Sequence, residues 1–287
     1  RTGVMETGLD ALHFDNFYSR PCYCPRCREA FRKETGEELP TEKMTASMPG
    51  APLVRQWTRF RCNQLTRRMI ELRDYARSLR PDILTIWNPS PIRGTLDQRL
   101  LRGTDFYDLG RNAGFLWSES GNFPETAGGT PIHQVNFFKT AEAVGYRTLS
   151  TVWKSGIEGQ GLPEIPEAVA LVTAETAAFG AVPGNNWLMR PEFMHQLPDG
   201  VLCREWKRQI DFIRKKDDLF SGSRSKGEIA LYFDRERAEL EFASAYAQFL
   251  TLQQLLLQKH LTFDLVFSGQ EERLEKYPLV LGVCTKE

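Results

Sequence analysis

Short apolar runs that end in polar residues alternate with longer stretches of helical periodicity along most of the chain. "LDALHFDNF" reads as a strand. "CPRCREAFRKETG" turns helical after Pro25 and stops at Gly36, and "TEKMTASMPGAP" reads as a polar loop broken by Pro and Gly. A long amphipathic helix follows, in which Leu65, Met69, Leu72, Tyr75 and Leu79 recur at three- and four-residue spacing before Pro81. "DILTIWNPSP" is a second strand. "RLLRGTDFYDLGRNA" reads as a connection to a third strand around "GFLWSES". The next helix, "TPIHQVNFFKTAEAVG", has Thr130 as a cap and Pro131 in the first turn. "YRTLSTVWKSG" is a fourth strand, "EIPEAVALVTAETAAFG" an Ala-rich helix, "AVPGNNWLMRP" a fifth strand and "CREWKRQIDFIRKKDDLF" a closing helix.

Strand and helix thus alternate five times, the pattern of a parallel sheet covered by helices. The strands end at Asp15-Asn16, Asn88, Glu119, Lys154 and Asn185-Asn186. In α/β barrels the chemistry sits at such C-terminal strand ends. The expected fold class is therefore α/β: the C-terminal part of a (β/α)8 TIM-type barrel, about strands four to eight, over residues 1–221. The Gly/Ser stretch "SGSRSKG" then leads into residues 222–287, read as the start of a second, smaller α/β domain with a helix from about Arg237 to Lys259. The chain opens on Arg1 without a Met or a signal peptide and ends on a strand just entered, so a fragment lacking its N-terminal strands is expected. No compartment is assigned on this basis, with the cytoplasm slightly favoured.

Charge narrows the partners. Lys plus Arg and Asp plus Glu number 37 each, a balance that disfavours nucleic acid. No apolar run approaches the roughly 18–20 residues of a membrane span. "GIEGQG" lacks the Lys-Ser/Thr context of a phosphate loop, and no organic cofactor is expected.

Cys22, Cys24 and Cys27 crowd into one short segment, C-x-C-x-x-C, whereas Cys62, Cys203 and Cys284 are scattered. Crowded thiolates suit one ion, and zinc takes four ligands in closed, sulfur-rich structural sites. The fourth ligand is Cys62 or a residue upstream. Free or buried thiols are the alternative.

Asp15 closes the first strand beside Asn16, Phe17 and Tyr18. It is either a catalytic carboxylate or the cap of the next turn. Glu119 ends the third strand and forms the second half of a glycosidase-type carboxyl pair, with Glu158 as a fallback acid. Otherwise it is a loop glutamate. Trp87, Trp117, Trp153 and Trp187 cluster at strand ends, where aromatic rings suit the C–H faces of a sugar, or are ordinary core residues. His13 shares the face of Asp15, and with Asn16, Asn88, Lys154 and Asn186 it completes the expected substrate-binding set. His133 is read as structural.

"LHFDNF…CYCPRCREAFRKETG" resembles glycoside hydrolases built on a (β/α)8 barrel, in particular the family-42 β-galactosidases, in which such a cysteine segment follows the fourth strand and helps to hold a structural zinc. "IALYFDRERAELEF…LLLQKHLTFDLVF…YPLVLGV" resembles the start of their flavodoxin-like trimerisation domain, which implies a homo-oligomer, trimer or dimer. Those enzymes carry Asn-Glu where this chain has Asp15-Asn16, and "STVWKSG" lacks their nucleophilic glutamate. The strand itself is more similar to the "WFDG"-type fourth strand of α-L-fucosidases, which implies Asp15 as the nucleophile of a retaining mechanism. The expected activity is hydrolysis of a terminal glycoside, α-L-fucose being the sugar implied. A β-galactosidase-related enzyme, a carbohydrate-binding barrel without turnover and a zinc-dependent interaction module remain alternatives.

Overall fold

The computed structural model describes residues 2–48, 50–89, 98–118, 126–127, 130–131, 134–151, 166–184, 200–238 and 242–283. After a short helix α1 (Thr2–Met5) come strand β1 (Ala11–Phe14), helices α2 (Pro25–Thr35), α3 (Glu42–Ser47) and α4 (Pro52–Leu79), and strand β2 (Leu84–Trp87). Helices α5 (Gln98–Arg102) and α6 (Phe106–Ala113) lead to β3 (Phe115–Ser118) and to a pair of two-residue strands, β4 (Thr126–Ala127) and β5 (Thr130–Pro131). Then follow α7 (Val135–Val144), β6 (Arg147–Thr151), α8 (Pro166–Ala178), β7 (Val182–Gly184), α9 (Val201–Lys215) and α10 (Asp217–Phe220). The C-terminal part contains β8 (Ile229–Phe233), α11 (Arg235–Ala238), α12 (Phe242–Gln258), β9 (Phe263–Phe267), a 3-10 turn over Glu271–Lys276 and β10 (Leu279–Val283).

Strands β1, β2, β3, β6 and β7 pair in that order, all parallel. Sequential parallel strands with helical crossovers form an arc of a TIM-type barrel. The second sheet is also parallel, with β8 between β10 and β9, the flavodoxin-like order in which the first strand is central. The fold is α/β throughout.

Local chemistry explains the helix ends. Pro25 occupies the first turn of α2, and Gly36, at φ 77°, terminates it in the left-handed conformation that glycine adopts without strain. The segment expected to be a polar loop contains α3, because the Thr41 side chain accepts a hydrogen bond from the Met44 N–H and caps a helical turn there. In α4 the buried stripe includes Leu65, Met69 and Ala76. Tyr75 is exposed, since a long helix drifts in phase and turns the alanine to the core instead. The connection before β3 holds two helices, the second capped by Asp105. Helix α7 begins at Val135 after Gln134, not at Thr130; Thr130 and Pro131 instead pair with β4. The helix expected from Arg237 to Lys259 is two elements, α11 and α12.

The helix-facing side of the barrel sheet carries Phe14, Trp87 and Leu116, packed on Leu65 and Met69 of α4 and Leu109 of α6. A second core spans both sheets. Tyr107, Val135 and Ala143 of the barrel helices meet Leu231, Phe233, Phe249 and Leu265 of the C-terminal part. Two ionic clamps reinforce that junction. Lys139 pairs with Asp264 at 3.1 Å, and Tyr277 donates to the same carboxylate at 2.9 Å. Gly227 lies so close that a Cβ there would sit 2.6 Å from Asp264 Cγ.

Asp105 anchors the other clamp. It is 4% exposed and takes Arg99 at 3.0 Å and Arg235, from α11, at 2.9 Å, while capping α6 through the Tyr107 N–H. Burial by itself would raise the Asp105 pKa, but the charges of Arg99 and Arg235 outweigh it and hold the carboxyl below the ordinary aspartate range. A depressed folded-state pKa contributes stability above the unfolded value near 4 that is lost as pH falls through the folded one. Asp105→Asn is expected to cost at most about 3 kcal/mol at pH 7, the low end for a broken buried pair, because both guanidiniums keep some contact with water. Denaturant melts should show the wild-type advantage shrinking below pH 4; an advantage independent of pH would contradict the ionic origin.

Candidate functional site

The register of β1 against β2 pairs His13 with Ile86 and Phe14 with Trp87. Alternation along each strand then separates two faces. Phe14 and Trp87 pack toward the helices, and His13 lies on the opposite face. There His13 meets Trp117 across the sheet, ring centroids 4.2 Å apart. Asp15 and Asn88 continue that face one step beyond the strands and touch each other.

The Asp15 carboxylate is exposed, and both of its oxygens are held. Asn88 Nδ2 donates to Oδ1 at 2.7 Å and Asn16 Nδ2 donates to Oδ2 at 2.8 Å. Asn88 is completely buried. Its backbone N–H donates to the Phe14 carbonyl at 2.9 Å, and its own carbonyl accepts from the Phe17 N–H at 2.7 Å. One residue therefore ties down the strand end, the following turn and the carboxylate. Asn16 adopts φ 49°, a left-handed conformation that asparagine tolerates better than most residues. A carboxylate with both oxygens oriented by amides, open to solvent at a C-terminal strand end, has the fixed aim that a nucleophile or a sugar hydroxyl acceptor needs.

Three of the expected substrate contacts occupy covered positions. Trp87 is fully buried on the helix side, stacked on Phe14 at 4.1 Å with an 8° tilt, and offers no face to a ligand. The sequence places it at a strand end, but the strand's alternation turns its neighbour Asn88 inward instead. Asn88 is itself buried and meets Asp15, so its place is behind the carboxylate. Trp117 is 7% exposed, most of its surface being covered. Glu119, His133, Trp153, Lys154, Glu158, Asn186 and Trp187 lie outside the described residues.

Beside this strand end, the Sγ atoms of Cys22, Cys24 and Cys27 all lie within 4.8 Å of one another, with Cys22 and Cys24 exposed. Two sulfurs on one tetrahedral zinc at about 2.3 Å sit roughly 3.8 Å apart, so the triad is of a size to hold one ion. The Cys27 N–H and the neighbouring thiols hold Cys24 down at about 7, while burial, and then its two neighbours, push Cys27 up to about 12. Cys62 does not join them. It is buried in α4 with its thiol toward the Arg99 carbonyl, 3.9 Å away, and burial pushes its pKa up to about 12. Of the two sources expected for a fourth ligand, Cys62 or a residue upstream, Cys62 lies apart from the triad with its thiol toward α5.

Residues that sequence reasoning passed over brace the loop. Arg61, 4% exposed, donates to the carbonyls of Ser19 and Leu100, and lies over the Trp57 ring at 4.6 Å. An arginine in an amphipathic helix ordinarily reads as a solvent-facing charge, so no local signal marks it.

No family model matches the sequence, and a search of curated proteins finds no match. Solved structures do match. The α-L-fucosidase isoenzyme 2 from Paenibacillus thiaminolyticus aligns with a TM-score of 0.56 at 17% identity, over 92% of this chain and 36% of that one. A β-galactosidase from Bacillus circulans sp. alkalophilus gives 0.65 at 15% identity, over 95% of this chain and 47% of its own. A catalytic mutant of a family-42 β-galactosidase from G. stearothermophilus gives 0.63 at 13%, over 93% and 46%. The chain spans less than half the length of each of these structures. It has a glycoside hydrolase-like fold, the barrel arc and the following α/β sheet included.

Proposed function

We propose that the Asp15 end of the barrel is the site of a glycoside hydrolase, with α-L-fucosidase-type retaining chemistry favoured. The observation that carries the reading is the carboxylate of Asp15, held through both oxygens by Asn88 and Asn16 at the C-terminal end of a parallel strand. Asp15 would attack the anomeric carbon as the bond to the leaving-group oxygen breaks. An acid, for which Glu119 is our candidate, would give that oxygen its proton; water would then hydrolyse the glycosyl ester. Asn16 stands where the family-42 acid would be, and it donates to Asp15 instead of offering a proton, which disfavours a β-galactosidase reaction of that type. The likeness to glycoside hydrolase folds, a fucosidase among them, supports the reaction class, and the fucose assignment rests on the similarity of the "LHFDNF" strand to that of α-L-fucosidases.

Asp15→Asn is expected to lower kcat/KM on nitrophenyl α-L-fucoside, or on whichever nitrophenyl glycoside of a panel proves active, by at least about 10³-fold. Azide should restore turnover to Asp15→Gly by forming a glycosyl azide. Undiminished hydrolysis by Asp15→Asn would remove the carboxylate from the mechanism.

Asn88 would act as a positioning residue. Asn88→Asp places a second carboxyl within hydrogen-bond distance of Asp15, and two such groups cannot both ionise cheaply. One pKa of the pair rises, so kcat should fall at neutral pH and the acid limb of the pH–rate profile should move upward. A purely structural role would lower stability and leave the profile in place.

The three thiolates would hold a structural zinc. Zinc titration, followed by metal analysis, is expected to give one ion per chain, and Cys24→Ser to lose it. A chelator should lower the Tm by more than it lowers the kcat of the protein that remains folded. Metal content unchanged in Cys24→Ser would refute the assignment.

A further inference from the structure

A cavity of about 780 Å³ opens beside the loop that follows Asp15, between residues 18–23, α3 and the 100–102 segment. Tyr18, Arg20, Tyr23, Glu42, Leu101 and Arg102 supply its working surface. Three peptide units separate Asp15 from Tyr18, so their Cα atoms are at most about 11 Å apart. A short oligosaccharide bound through its terminal ring at Asp15 would reach this wall.

Two features set the wall apart. The first is charge. Arg102 lies over the Tyr18 ring at 4.8 Å and Arg20 at 6.0 Å, and Arg20 also reaches the Tyr18 hydroxyl at 3.5 Å. Among the described residues neither guanidinium is in an ion pair. Most other arginines nearby are paired or buried against carbonyls, as Arg67 is with Glu34 and Arg61 with the loop backbone. Glu42 is the sole acid among the described lining residues. The second feature is preorganisation. Arg61 joins the carbonyls of Ser19 and Leu100, and the Ser19 N–H donates to the Arg102 carbonyl at 2.8 Å, which fixes the two segments that carry the arginines. Tyr23 completes the far wall, stacked on Trp57 at 5.5 Å and hydrogen-bonded to Thr45 at 2.7 Å. The ring of Tyr18 and the exposed side chain of Leu101 add apolar surface for the C–H face of a sugar.

We infer that this cavity is a leaving-group subsite for an anionic saccharide, one carrying a carboxylate or a sulfate ester that Arg20 and Arg102 bind together. Planar, always-charged guanidiniums recognise both groups through paired hydrogen bonds. The placement on the leaving-group side rests on Asp15 as the nucleophile; the anion preference does not.

The test uses Asp15→Asn, which binds without turnover, and three disaccharides alike in size: neutral, uronic-acid-containing and sulfated. Calorimetry is expected to show at least one anionic ligand binding tenfold or more tighter than the neutral one, with the advantage falling as salt rises. Adding Arg20→Gln and Arg102→Gln should abolish the preference, and the Lys pair should retain part of it. Thermal melts establish that the variants are folded; should the double variant unfold, the single variants decide. Equal binding of neutral and anionic ligands, or a preference that survives both Gln substitutions, overturns the subsite. Sulfated and uronic arms separate the two anions. If no nitrophenyl glycoside is hydrolysed yet the preference holds, the hydrolase reading fails and the binding site stands. If hydrolysis holds without the preference, the subsite alone fails.

Discussion

The pairing of β1 with β2 determines where the chemistry can be. With Phe14 opposite Trp87, both aromatic rings turn to the helices and close the core, and the next residue on each strand turns inward. Asp15 and Asn88 meet only because of that register. A slip of β1 by one residue would send the carboxylate into the apolar layer and bring Phe14 to the open face, at the cost of burying a charge. The apolar demand of the outer face therefore fixes the polar geometry of the inner one.

Asn88 converts that register into a rigid site. A backbone that both donates to Phe14 and accepts from Phe17 leaves its side chain little freedom, so the amide reaches Asp15 from a fixed position. The opposing amide comes from Asn16, whose left-handed backbone bends the chain sharply after the strand. The turn, the carboxylate and the adjoining loop are thus one hydrogen-bonded unit. Arg61 extends it by tying the Ser19 carbonyl of the loop to that of Leu100.

The junction between the two sheets is built differently. It mixes a shared apolar core with buried charges that are fully paired: Asp105 with Arg99 and Arg235, and Asp264 with Lys139. Apolar burial supplies the attraction and the ion pairs specify the orientation, since a misplaced partner would leave a charge uncompensated in the interior. This places Arg235, far along the chain, against the helix that follows the second barrel strand.

What was legible in the sequence was whatever depends on local periodicity. The parallel β-α order, the Pro25 and Gly36 limits of α2, the crowding of three cysteines and the polar residue closing each strand all follow from neighbours along the chain. Tyr75 and Trp87 mark the limit of such reasoning, because periodicity gives the spacing of a face and strand position gives an end, while neither says which way a particular ring turns. The helix at 42–47 was hidden because a single capping hydrogen bond decides it within an otherwise polar segment. The Asp15–Asn88 contact joins residues 73 apart, and that of Asp105 with Arg235 joins residues 130 apart. The sequence by itself determined the parallel order of the main strands and helices and the kinds of groups that follow the strands. Only the tertiary structure decided which of those groups meet, because strand register and the burial of charge are settled by contacts between segments that no local pattern records.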